Sequence, residues 1–171
     1  MDSSTALLGI IVGAILGGAG KILFDYYQRI QCRNAIAAAI GAEISSIINN
    51  ARLRQLPEHF RNLVPLLRGD APPPAPWIFF DPSVDPSPVA KAHIDRIGEL
   101  GPRLAARVVT FYGRQLALRT EIHILDSGVY NAEPLKAAAH IERALALWDT
   151  IVPLCDPLIA DLFALSGEKP D

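Results

Sequence analysis

Cysteine is nearly absent from this chain: 171 residues hold two, Cys32 and Cys155. A disulfide framework needs a denser set, so that class of small stapled protein is excluded. Cys32 follows Ile30-Gln31 rather than small residues, which excludes a lipid-modified cysteine as well. An excess of one charge sign is also lacking. The formal net charge is -2, without the basic surplus that a nucleic-acid binder carries. Disorder is excluded from the other side, because half the residues are hydrophobic and can fill a core.

Catalytic and metal-binding motifs are missing too. No glycine-rich phosphate loop stands in a strand–turn–helix setting, and no serine-nucleophile motif occurs. Cys155 lies between Pro153 and Pro157 with no histidine near it in sequence. His93, His123 and His140 each stand two residues from a carboxylate. On a helix that spacing sends the two groups to different faces. The Glu-x-x-His pairs of a di-iron bundle are not present. His123 and Asp126 are three apart, a spacing that favours a surface hydrogen bond over a ligand pair. The expectation is a non-enzymatic chain with no cofactor, no metal and no nucleic-acid partner.

What the chain does hold is one long apolar run at its start. From Ala6 to Gly20 no side chain is charged or strongly polar, and Ile22-Leu23-Phe24 continue after Lys21. About 20 apolar residues suffice to cross a bilayer core. Residues 5–24 are therefore expected to form a transmembrane helix, with Lys21 extending its amine to the headgroups along its apolar stem. Tyr26 and Tyr27 fall where interfacial aromatics gather. A cleaved signal peptide would need a basic start, and Met1-Asp2-Ser3-Ser4 is acidic. Lys21, Arg29 and Arg33 outweigh Asp25 after the span, against Asp2 before it. The positive-inside rule then places residues 1–4 outside and the remainder in the cytoplasm, at a bacterial inner membrane.

Within this run Gly9, Gly13 and Gly17 recur every fourth residue, a glycine zipper. That period keeps the three on one helical face. In lipid, a groove without side chains lets a second backbone come close. The expected partners are the bilayer and either further copies of the chain or other transmembrane helices.

The helical pattern continues beyond the span. Ile36, Ile40, Ile44, Ile47 and Ala51 make an amphipathic stripe, so one helix should run to about Leu53, with a bend at Lys21 or Gly41. Phe60, Leu63, Val64 and Leu67 give a short helix after Pro57. Half of the fourteen prolines fall between Pro72 and Pro88, which marks residues 70–88 as a loop. Its Trp77-Ile78-Phe79-Phe80 patch is expected to dock on the bundle or on a partner. Ile94, Ile97 and Leu100 belong to another short helix.

Gly101-Pro102 opens a long helix whose seam is Leu104, Val108, Phe111, Gln115, Leu118, Ile122 and Leu125. Spacings of this kind suit antiparallel bundles. A turn at Ser127–Asn131 should cap the next helix through Ser127 or Asn131. That helix carries Ala138, Ile141, Leu145, Trp148 and Val152. Pro153 should end or kink it, and Asp156-Pro157 should begin a last short helix with Leu158, Ile159, Leu162 and Phe163 inside.

Residues 97–112, IGELGPRLAARVVTFY, resemble a pattern in small bacterial membrane-anchored helical proteins. Those place a membrane helix first, then a long helix, then an aromatic segment (here Trp77 to Phe80) before an "IG-L … V-FY" helix. The resemblance implies architecture and a bacterial origin, not an activity.

The expected fold is all-α: a single N-terminal transmembrane helix joined to a cytoplasmic bundle of three to four main helices over residues 25–165, with a polar tail at 166–171. The expected role is a scaffold or an accessory subunit of a membrane assembly. A pore-forming effector is the alternative, although the span offers no polar stripe to line water.

Overall fold

A computed structural model describes residues 3–75 and 87–168, with side-chain surroundings given from Gly17 onward. Among the described residues every regular element is helical. In chain order they are α1 (Ser3–Leu53), α2 (Leu56–Leu67), α3 (Pro88–Ala92), a 3-10 helix (Ile94–Leu100), α4 (Pro102–Asp126) and α5 (Pro134–Ser166).

The first helix runs its 51 residues without a break, about 75 Å at the usual rise. Neither Lys21 nor Gly41 interrupts it. Gly41 serves the packing instead. A Cβ there would stand 3.4 Å from Leu162 Cβ and 3.5 Å from the Phe163 ring, so the missing side chain lets α1 and α5 come close. The buried stripe is Ile36, Ile40, Ile44 and Ile48, with Ala37 beside it. Ile48, rather than Ile47, carries the period onward, and Ile47 packs at the margin.

The longest element after α1 is α5, which serves as the spine. Arg52 pairs with Asp156, while Gly41 lies against Leu162 and Phe163, so α1 and α5 run antiparallel. Arg61 reaches Asp149 and Arg68 reaches Glu142, so α2 continues along the same spine. Arg107–Asp161, Arg114–Thr150 and Glu121–His140 fix α4 antiparallel to α5 on another side.

Two hydrophobic clusters result, stacked along α5. One joins α1, the 3-10 helix, the first half of α4 and the second half of α5, around Ile40, Ile44, Val108, Phe111, Leu158 and Leu162. The other joins α2, the end of α4 and the start of α5, around Phe60, Leu67, Ile122, Ala138 and Ile141. Fully burying side chains of this size stabilises by about 1.5–3 kcal/mol each.

Pro153 and Pro157 lie inside α5 rather than dividing it. They fall in the half of the helix that packs into the first cluster, between Ile151, Cys155 and Leu158. Each proline lacks the N–H that would serve the carbonyl four residues back. Arg114 donates to the Thr150 carbonyl at 2.7 Å, one residue past the Asp149 carbonyl that Pro153 leaves without a backbone donor. Burial on both flanks, from Ile141 and Ala144 to Ile151 and Leu158, offsets the local cost.

Two smaller expectations change. Neither Ser127 nor Asn131 caps α5. Pro134 opens that helix, and the Glu133 carbonyl accepts from Lys136 and Ala137. Ser127 instead closes α4, its hydroxyl donating to the Ile124 carbonyl. Ile97 and Leu100 are buried, but Ile94 is exposed. The helical path breaks at His93, whose φ and ψ are -117° and 12°, and Ile94 stands just past that break.

Candidate functional site: the exposed end of the first helix and its junction with the bundle

Residues 17–29 of α1 are exposed at every position. They include Ile22, Leu23 and Phe24, which are 65–71% exposed, and Tyr26 and Tyr27. No other element of the described chain covers them. Large apolar side chains on a regular helix with no core to enter are unusual for a water-exposed surface. Lys21 sits within this stretch and is likewise exposed. Tyr27 accepts at its hydroxyl from Gln31 Nε2 at 2.9 Å, one turn on.

Gly17 faces open space, with nothing within 4 Å of where its Cβ would be. Gly9 and Gly13 are in α1 as well, but their surroundings lie outside the described residues. Trp77, Ile78, Phe79 and Phe80 fall outside the described residues altogether. Among the described residues no helix is long and apolar enough to cross a membrane. The expected span at 5–24 falls largely in the stretch whose side chains are not described.

Where α1 enters the bundle an open groove of about 760 Å³ forms between it and the 3-10 helix, lined by Arg29, Arg33, Cys32, Arg96, Glu99 and Asp25 among others. Arg96 donates twice to Glu99, at 2.8 and 3.1 Å. That fork raises the Arg96 pKa further above its ordinary value, with Cys32 beside it contributing, and holds the Glu99 carboxyl low. Arg33 keeps a buried Nε with no hydrogen-bond partner.

The groove's wall is pinned from behind by Glu43, a carboxylate that sequence reasoning passed over. Buried on α1, it accepts from the backbone N–H of Val89 at 2.7 Å and of Ala90 at 3.1 Å. It also accepts the Tyr112 hydroxyl at 2.5 Å. Three donors offset the cost of burying a charge. They fasten α3, and with it the 3-10 helix, onto α1 and α4. Burial and then the Glu43 carboxylate push the Tyr112 pKa well above the ordinary phenol range. A buried Glu in a continuous helix was the available signal, since such a residue is rarely inside without partners.

A second polar cluster joins α4 to α5 at the far end. His140 Nδ1 stands 2.6 Å from Glu121 and Nε2 stands 2.9 Å from the Tyr130 hydroxyl. Arg143 donates to the same Glu121 oxygen at 3.3 Å. Neither Glu121–His123 nor His140–Glu142 pairs as sequence neighbours; Glu121 and His140 meet across helices. The cluster lines neither this groove nor the smaller one around Trp148. Among the described residues no group of three or more His, Cys, Asp and Glu side chains could hold a metal ion.

No protein-family model, curated protein or solved structure matches this chain.

Proposed function

We propose that this chain is a single-span membrane protein whose helical bundle stands at the bilayer surface and holds other proteins there, as a scaffold or as an accessory subunit. One observation carries the reading. The same unbroken helix that supplies the core at Ile36, Ile40 and Ile44 continues outward with Phe24, Leu23 and Ile22 exposed. Before them comes an uncharged run from Ala6 to Gly20. Water is a poor solvent for such a surface, and a bilayer accommodates it.

Lys21 and the tyrosine pair then lie at the headgroups. The excess of Lys and Arg after the span favours a cytoplasmic bundle with the N-terminus outside, in a bacterial inner membrane. The glycine face of Gly9, Gly13 and Gly17 would meet another helix in the lipid. A long helix rooted in both bilayer and bundle transmits that association rigidly, which suits a scaffold more than a catalyst.

Alkaline carbonate treatment of membranes containing the chain tests the anchor. The protein should stay in the pellet, and release to the supernatant would overturn the reading. Protease added to right-side-out vesicles should leave the bundle intact. Dye-loaded liposomes separate the rival role: leakage at low protein ratios would replace the scaffold by a pore.

A further inference from the structure

The groove at the root of the bundle has a chemistry of its own. Its walls carry three arginines against two carboxylates, Asp25 and Glu99. Glu99 is already engaged, because both of its oxygens take the Nε and Nη2 edge of Arg96. The fork leaves the Nη1 edge of that guanidinium free of Glu99 and fixes its plane. Arg33 presents a buried Nε that no protein group satisfies. A phosphate oxygen would meet that guanidinium from the groove side, where Arg33 lines the wall, rather than at the enclosed Nε itself. The groove's volume falls in the range of small-ligand sites, about 300–1,000 Å³.

Position identifies the ligand. Arg29 lies five residues past Phe24 and Arg33 nine, roughly 8 and 14 Å along the axis. Helical side chains lean toward the N-terminus, here the membrane side. The headgroup layer is about 5–8 Å thick on each face. Long arginine side chains from these positions therefore reach phosphate depth.

Resting on the anchored reading above, we propose that this groove holds the phosphodiester of an anionic lipid headgroup, gripped by Arg29, Arg33 and Arg96. Arginine forks match phosphate oxygens in pairs. Glu99 serves as the positioning residue that keeps Arg96 facing the groove. The bound headgroup fixes the depth and rotation of α1, and so the pose of the whole bundle on the membrane.

The full chain, reconstituted in bilayer discs of phosphatidylcholine with about a third phosphatidylglycerol, provides the test. Native mass spectrometry counts the lipids that each released protein retains. Wild type should retain phosphatidylglycerol in preference to phosphatidylcholine. Arg33→Gln should lose that preference about fivefold, and Arg33→Gln with Arg96→Gln roughly 25-fold, taking the usual gain per basic residue at an anionic surface. Arg33→Lys should keep much of it. Arg54→Gln, in the turn just past the far end of α1, should change nothing.

Equal retention of the two lipids by wild type, or a double variant that binds like wild type, would overturn the proposal. Radiolabelled inorganic phosphate is titrated onto the detergent-solubilised protein in parallel. Tight binding that the double variant abolishes would assign the site to a free anion and overturn the lipid. Circular dichroism of each variant reports that the bundle is intact. Recovery in the disc fraction separates the two readings: a chain that fails to insert defeats the anchor, and one that inserts without lipid preference defeats only this site.

Discussion

Glu43 on α1 and Tyr112 on α4, 69 residues apart in sequence, share a 2.5 Å hydrogen bond inside the bundle. The same carboxylate holds the first turn of α3, so one side chain ties together three elements. Glu43→Ala should orphan three donors at once and cost about 3 kcal/mol. Tyr112→Phe removes one donor and should cost about 1 kcal/mol. Urea unfolding measures both. Hydrogen exchange at the Val89 and Ala90 amides should rise more than elsewhere in Glu43→Ala. Uniform protection would show that α3 is held by other means.

Tyr112 also makes stability depend on alkaline pH. Its folded pKa is raised above the ordinary value near 10 by burial and by Glu43. The native state therefore keeps a proton that the unfolded chain loses. Stability is fully present below about pH 10 and falls as pH rises beyond it. Tyr112→Phe should flatten that decline while leaving the neutral-pH profile parallel to wild type. Identical alkaline slopes in both proteins would remove Tyr112 as the cause.

The two thiols should differ in reactivity. Cys155 is fully buried, its Sγ lies 3.2 Å from the Ile151 carbonyl, and burial pushes its pKa up to about 11. Cys32 is partly exposed. An aromatic disulfide reagent at pH 8 should modify one thiol rapidly in the folded protein and both in urea. They cannot join within one chain, since Asp156, next to Cys155, pairs with Arg52, and Cys32 lies 20 residues back along α1, about 30 Å away. Two rapid equivalents in the native state would contradict the burial of Cys155.

Glu121, His140 and Tyr130 supply a coupled group at the other end. With His140 and Glu121 side chains 13% and 20% exposed, their contact is shielded enough to count. A double-mutant cycle of Glu121→Gln and His140→Ala should give a coupling energy above about 0.5 kcal/mol, the usual scale for side chains in contact. Strict additivity would mean that the pair contributes nothing beyond its separate parts.

The periodic elements were legible because their signal is local. The seam of α4 reappears inside, with Val108, Phe111, Gln115, Ile122 and Leu125 buried. On α5, Ala138, Ile141, Leu158 and Leu162 do the same. The division of α5 at Pro153 failed for a different reason. A missing hydrogen bond is a local cost of about 3 kcal/mol, and a helix buried against two clusters outweighs it, which no sequence window contains. Glu43, the Glu121–His140 contact and the Arg33–Arg96 groove each join residues far apart in the chain. They exist only once separate helices have packed against one another, so spacing rules had no purchase on them. The N-terminal glycines stood out because an every-fourth-residue repeat is visible in sequence.

Those glycines permit a test that the fold itself does not confuse. A side chain at Gly17 would meet nothing within 4 Å in the isolated chain. Gly17→Ile should therefore leave thermal unfolding of the bundle unchanged. If α1 associates through its glycine face, the branched side chain blocks close approach of a second helix, because such contacts depend on small residues. Gly13→Ile should weaken oligomers in detergent or lipid in the same way. Gly41→Ile is the opposite case: it should destabilise the bundle by roughly 1–3 kcal/mol through overpacking against Leu162 and Phe163, with oligomer size changed only as far as folding is lost. Crosslinking or sedimentation in detergent measures size, and urea unfolding measures the fold. Oligomers of unaltered size in both Gly13→Ile and Gly17→Ile would detach the glycine face from assembly and leave α1 only its proposed anchoring role.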